Sequence, residues 1–293
     1  MEWRHRWRAM GVDCAVVTRT PSDPAWWEAQ VEHYEQVFSR FRPDSELSRL
    51  NKTRSMAVSA DLQELLLAAI AQAHVTHGLV VPHLGSTLVA LGYDRTFAAV
   101  ESAAASVDYP LLADWRAIVV RGRQVTLPPG AQLDLNGYAK GWIAQRLAER
   151  AGAAAVLVEI GGEVACIAPE TDPWYVAVDH PSDPEPLALV AIAAGTVATS
   201  SVCERRWQRG GSVVHHIVDP RTGAPAQTDV RTATVITRDG IDAEVAAKVA
   251  LILGAAAGSR WLSERGLPGL LYTDAAQVVT TPAWAAYEWD AAR

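Results

Sequence analysis

The stretch Leu133–Trp142 reads LDLNGYAKGW and sets a carboxylate, a small-residue turn and a lysine in close succession. Asp134 ends an apolar run, Asn136-Gly137 breaks it, and a helix is predicted to open at Tyr138 with Lys140 in its first turn. A cation at that end opposes the helix dipole, because the first backbone N–H groups already make it positive. One physical reason to accept the cost is an anion held by both, with Gly137 and Gly141 letting it come close to the backbone. The plainer alternative is a lysine reaching solvent beside a glycine turn. The pattern is neither a P-loop nor the dinucleotide G-x-G-x-x-G.

A second stretch, Ser212–Pro225, reads SVVHHIVDPRTGAP. Val213, Val214, Ile217 and Val218 predict a strand, and Asp219-Pro220 with Gly223 predicts the turn that ends it. On a strand His215 and His216 point to opposite faces, so at most one shares a face with any site. A histidine titrates near neutrality and can move protons, but it can equally pack or sit exposed.

Two further stretches could hold a ligand. Glu159-Ile160-Gly161-Gly162-Glu163 either makes a two-residue hairpin or lets a ligand approach the backbone. Thr199-Ser200-Ser201, followed by Arg205-Arg206, combines hydroxyls with cations, which suits a phosphate or a plain surface loop. No Ser-His-Asp order, CxxC or HExxH stands out.

These stretches sit in a chain of 293 residues, 49% hydrophobic and 20% charged, with a formal net charge of -7. That length supports one large domain or two closely packed lobes. The acidic balance and the lack of a basic block argue against nucleic acid as a partner. Cys14, Cys166 and Cys203 are widely spaced and lack metal-ligand spacing, as expected of thiols in a reducing compartment. The N-terminal MEWRHRWRAMG carries no apolar h-region, and no stretch is long and apolar enough for a membrane span, so a cytoplasmic protein is expected.

The positioning elements follow from local pattern. A strand is predicted within Trp7–Thr18, a helix from Pro24, a short serine-capped helix over SELSRLN, and a longer helix from Ser59 stopped at Gly78. AIVV, QVTL and QLDL read as a meander of short strands. AVLVEI and EVACI read as strands around the paired glycines, and Leu187–Cys203 as a buried strand running into a polar loop. Helices are predicted over Asp242–Leu253 and Ala255–Arg265, with GLLYT and QVVTT as closing strands. Strands neighbour their sequence partners, which predicts an α+β fold of mixed, largely antiparallel sheets with flanking helices in two closely packed lobes.

Taken in order, ELSRLN, LDLNGYAKG, EIGGEV, ATSS with following arginines, HHIVDPRTG and AEVAAKVALILG resemble the FAD:protein FMN transferases, the ApbE family. The resemblance covers residues 7–282 as a single domain with the flavin site between two lobes, leaving 1–6 and 283–293 as tails. It implies an enzyme that cleaves the FAD pyrophosphate and attaches FMN through a phosphoester to a Ser or Thr hydroxyl of an acceptor flavoprotein. AMP is released, and Mg²⁺ is usually required. It implies His216 as the base. It places Met10, Pro82, Asn136, Gly137, Lys140, Glu159, Gly161, Gly162, Thr199, Ser200, Arg206 and Asp219 at the flavin. A non-catalytic flavin-binding protein and an FAD pyrophosphatase giving FMN and AMP are the rival readings.

The chain departs from the family pattern at four places. AMGT reads Ala9-Met10-Gly11-Val12, FDPT reads Val80-Val81-Pro82-His83, and DLGG reads Asp134-Leu135-Asn136-Gly137. The late ADALAT, which supplies an aspartate and a threonine to the metal, aligns with Ala243-Glu244-Val245-Ala246-Ala247-Lys248. Glu244 keeps a carboxylate for a metal. Lys248 stands four residues on, where its ammonium opposes Mg²⁺ and could take over part of the ion's role.

Overall fold

The computed structural model describes residues 2–103 and 107–289. The chain opens with a hairpin, β1 (Trp3–Ala9) and β2 (Val12–Thr18), followed by α1 (Pro24–Phe38) and α2 (Glu46–Thr53). Next come β3 (Ser55–Ala57), α3 (Ala60–Val75), α4 (Gly85–Ala90), β4 (Val119–Arg121), β5 (Gln124–Thr126) and α5 (Ala139–Arg150). Strands β6 (Val156–Ile160), β7 (Glu163–Ile167), β8 (Trp174–Val178), β9 (Ala188–Ile192) and β10 (Ala194–Ser201) then run in succession. The short β11 (Arg206–Arg209), β12 (Ser212–His215), β13 (Val218–Asp219) and β14 (Ala224–Pro225) lead into β15 (Val230–Thr237). Helices α6 (Gly240–Leu253) and α7 (Ala255–Ser263) and strands β16 (Gly269–Thr273) and β17 (Val278–Thr280) finish the fold. It is α+β, as expected.

The chain divides into two units. The first comprises Met1–Gln30, Lys140–Cys203 and Thr228–Arg293, the second Val31–Ala139 and Glu204–Gln227. The first is built on an eight-stranded sheet of order β1-β2-β6-β7-β10-β15-β16-β17, every pairing antiparallel. Register decides which side chains share a face. Ile160 stands opposite Glu163 and Val158 opposite Ala165, so these four project to one side, while Glu159 and Val164 project to the other. Pairing of Val164 with Val197 and of Ala165 with Thr196 carries the two faces onto β10. Val197 and Thr199 therefore lie with Glu159, and Ser200 lies with Glu163.

The Glu159 side of the sheet is packed by the β8–β9 hairpin and Trp284. Val164, Cys166, Val197, Ile236 and Leu270 meet Trp174, Val176, Val190 and Ile192 there, all buried. Over the opposite side α6 packs on β10 and β15. The segments expected as tails enter this unit: Trp3–Arg6 belongs to β1, and Trp284 is 1% exposed in a helical turn, Pro282–Ala286. Met1 and residues 290–293 lie outside the described residues.

The second unit combines the small sheet β3-β5-β4, the hairpins β11–β12 and β13–β14, and helices α2, α3 and α4. Serine caps start two helices as expected: Ser45 Oγ accepts from Ser48 N at 3.0 Å and Ser59 Oγ from Leu62 N at 3.1 Å. QLDL is not a strand. Only Gln132 makes a β-bridge, to Leu84, and both backbone groups of Leu133 are taken by the Asn51 side chain. Leu187–Cys203 is two strands, not a strand and a polar loop, because Ala193 turns the chain between β9 and β10. Among the described residues no helix is long and apolar enough to cross a membrane.

Candidate functional site

In the first unit the helix start at Lys140 does face anions, and the protein supplies them. Lys140 Nζ is ion-paired and hydrogen-bonded to Glu163 Oε2, and lies 3.5 Å from the carbonyl oxygen of Gly161. Gly141 N donates to Glu244 Oε2 at 3.2 Å, so an otherwise unpaired amide of the first turn of α5 binds a carboxylate from α6. The contact requires the two helix starts to touch. A Cβ on Gly141 would fall 2.4 Å from the carbonyl oxygen of Gly240. The absent side chain thus admits a helix rather than a ligand.

Glu163 and Glu244 are both buried, at 2% and 3% exposure. Burial pushes the Glu163 carboxyl up to about 7, the Lys140 ammonium pulling it down and the Glu244 charge pushing it further up, while Lys248 also acts to lower it. Two lysines and two glutamates thus form one electrostatic cluster. Sequence reasoning gave three of them a role in the site and named Glu163 only as the end of the glycine stretch. The signal was present: a lysine that opposes a helix dipole needs an acid, and Glu163 begins the strand after the glycine turn. Among the described residues no group of three or more His, Cys, Asp or Glu could hold a metal ion.

The other expected residues of this unit are dispersed. Met10 occupies the β1–β2 turn with φ of 51°. Gly161 and Gly162, with φ of 57° and 93°, form the two-residue turn between β6 and β7, the left-handed pair such hairpins require. Glu159 lies on the sheet side opposite Glu163, and burial there raises its carboxyl above the ordinary value. Thr199, hydrogen-bonded to Thr234 Oγ1 at 2.8 Å, shares that side, whereas Ser200 is buried on the α6 side. Strand alternation therefore separates Thr199 from Ser200.

In the second unit the loop carrying Asn136 and Gly137 is pinned from three directions. Asn51 Nδ2 donates to Leu133 O at 2.9 Å, and Leu133 N donates to Asn51 Oδ1 at 2.7 Å. Asp134 N donates to Pro82 O at 2.9 Å, and Asp134 Oδ1 accepts from Asn136 N at 2.8 Å. Arg40 Nε donates to Asp134 Oδ2 at 2.5 Å, and its guanidinium lies over the rings of Phe41 and Tyr93. Pro82 thus contributes its carbonyl. His83, standing where the family has a threonine, is buried with Nε2 2.7 Å from the Ala113 carbonyl oxygen, and burial lowers its pKa.

The histidine run is not one strand. β12 ends at His215, His216 sits in a bend, and β13 starts at Val218 with a different partner. Strand alternation therefore does not orient His216, whereas strand β12 places His215. His215 stands opposite Arg206 on β11, with Nε2 3.1 Å from the Ala226 carbonyl oxygen. Burial lowers its pKa, with the Ala226 contact acting the other way. Arg206 is exposed. The turn after β13 is as expected, with Gly223 at φ of 69°. Burial acts to raise the Asp219 carboxyl, but its hydrogen bonds to the Arg221 side chain and backbone, with the guanidinium charge, hold it below the usual range.

An antiparallel eight-stranded sheet with a lysine-bearing helix start, together with a unit carrying a His-x-x-Asp-Pro turn, defines an α+β class known from sequence and structure. Residues 10–271 match the model of the ApbE family, and the chain belongs to that family. A Treponema pallidum protein named FAD:protein FMN transferase is 31% identical over 252 residues, spanning 76% of this chain and 69% of that protein. One of the same name from Salmonella typhimurium is 27% identical over 260 residues, spanning 82% and 73%. An ApbE protein from Thermotoga maritima superposes with a TM-score of 0.85 at 22% identity, covering 99% of this chain and 100% of that one. A Pseudomonas stutzeri flavinyl transferase does so with 0.80 at 21%, covering 98% and 96%. These two structures share the fold.

Proposed function

We propose that this chain is an FAD:protein FMN transferase. An acceptor Ser or Thr hydroxyl oxygen attacks the FMN-side phosphorus of FAD, the bridging P–O bond breaks, and AMP leaves. The hydroxyl proton passes to His216. Such a transfer is catalysed by positioning and by neutralising charge on the phosphoryl oxygens, with a base for the incoming hydroxyl.

The observation that supports this reading is the geometry of the histidine turn. His215 is tied to the Ala226 carbonyl and burial lowers its pKa, which suits a structural group. His216 stands at the break between β12 and β13, and the Asp219–Arg221 pair braces the turn that follows. Asn136 and Gly137 fit a flavin-binding loop, since Asn51, Arg40 and Pro82 preorganise it. Met10, Gly161, Gly162, Ser200 and Arg206 are candidate flavin contacts. Glu159 and Thr199 face the opposite sheet side from Ser200. The partner is a flavoprotein carrying an acceptor hydroxyl. Three thiols, none in a disulfide, suit a reducing cytoplasm.

The test is incubation with FAD and an acceptor domain, followed by mass spectrometry and nucleotide chromatography. FMN covalently on the acceptor with equimolar AMP supports transfer. FMN and AMP in solution with unmodified acceptor means a pyrophosphatase. Intact bound FAD means a binding protein.

A further inference from the structure

ApbE-family chemistry implies a divalent ion, and the residues present here do not fit one. Glu244 is the one carboxylate aligned with the family's metal ligands, and its Oε2 already accepts the Gly141 amide at the start of α5. A second buried carboxylate, Glu163, is paired to Lys140. The position of the family's hydroxyl ligand carries Lys248, whose positive charge acts on Glu163. Adding a hard dication to a cluster that already holds two cations is electrostatically uphill, and a lysine donates hydrogen bonds where a metal needs an oxygen donor.

We propose that this chain works without a divalent ion: Lys140, held by Glu163, and Lys248, at the position of the family's hydroxyl ligand, together take the metal's charge-neutralising role toward an anionic pyrophosphate. The proposal rests on the flavin-transferase reading for its ligand but not for its metal arm. The cation pair differs from an ion in a testable way. A metal can be stripped and refilled, whereas a lysine cannot. A fixed ammonium also neutralises charge at any magnesium concentration, so flavin binding is indifferent to chelators.

The experiment measures binding of manganese(II) by electron paramagnetic resonance, and of FAD and riboflavin by flavin fluorescence, on chelator-treated wild-type protein. Neither arm depends on turnover, so a protein with no transferase activity still answers the question. The expected result is no manganese bound below millimolar concentration, and an FAD affinity unchanged by EDTA. Lys248→Met should weaken FAD binding about tenfold while leaving riboflavin, which has no phosphate, within about twofold. Glu244→Asp combined with Lys248→Thr should gain one manganese per chain, with circular dichroism confirming the fold. One manganese bound per wild-type chain at micromolar concentration and lost in Glu244→Gln would overturn the proposal. So would equal losses of FAD and riboflavin binding in a folded Lys248→Met protein.

Discussion

The backbones of Gly141 and Gly240 touch at the starts of α5 and α6, each so close that a Cβ on Gly240 would lie 2.2 Å from the Gly141 carbonyl oxygen. Neither position can accept even a methyl group without the two helices moving apart. Gly141→Ala and Gly240→Ala should each destabilise the protein by about 1–3 kcal/mol or more, as overpacking of rigid backbone does. Urea denaturation followed by circular dichroism checks this. Unshifted midpoints would mean that the helices slide apart at little cost.

The two histidines should separate by phenotype. His216→Ala is expected to lose about two to four orders of magnitude in transfer rate, the usual range for removing a general base. His215→Gln should stay within about threefold, since that side chain is occupied with the Ala226 carbonyl. Single-turnover transfer assays decide it, and equal losses would show that both imidazoles take part.

Stability should depend on pH through the buried imidazoles. Burial depresses the folded-state pKa of His215 and of His83 below the ordinary 6.5, so the folded protein prefers both rings neutral. Their contribution is present above about pH 6.5 and is lost as pH falls through the depressed folded values. Thermal unfolding should therefore shift downward between pH 7.5 and 5.5, and His215→Gln should show a smaller shift. An identical shift in that variant would assign the effect to other groups.

Lys140 and Glu163 should behave as a coupled pair. Lys140→Met strands a buried carboxylate beside Glu244 and should cost about 3 kcal/mol at pH 8. A carboxyl whose folded value is raised from 4.5 to about 7 favours the folded state only while protonated, and that benefit disappears as pH rises through about 7. The Lys140→Met protein should accordingly recover much of its loss at pH 6. Adding Glu163→Gln should recover it at pH 8 as well. A double-mutant cycle at the two pH values measures the coupling, and additive losses would disprove it.

Asn51 substitutes for a neighbouring strand at Leu133. Asn51→Leu removes both hydrogen bonds and leaves a buried amide and carbonyl unpaired, at a cost of about 1–3 kcal/mol. FAD affinity should fall with it, because the Asn136-Gly137 loop follows directly. Unchanged affinity in a destabilised variant would show that the loop is held by Arg40 and Pro82 alone.

The sequence by itself determined the features whose causes lie within a few residues. Ser45 and Ser59 cap their helices because their hydroxyls reach an amide three positions on. Gly161-Gly162 and Gly223 make turns because only left-handed backbone closes them. The ordered motifs specified the family. Tertiary structure decided what those motifs touch. The anion facing Lys140 is Glu163, 23 positions away, and the carboxylate at Gly141 is Glu244, 103 positions away. Sheet register set Ser200 on the side of Glu163 and Thr199 on that of Glu159, and a change of strand partner broke the histidine run at His216. A dihedral preference or a cap acts over one turn of chain. An ion pair or a register is fixed only when distant segments pack, so no local pattern encodes it.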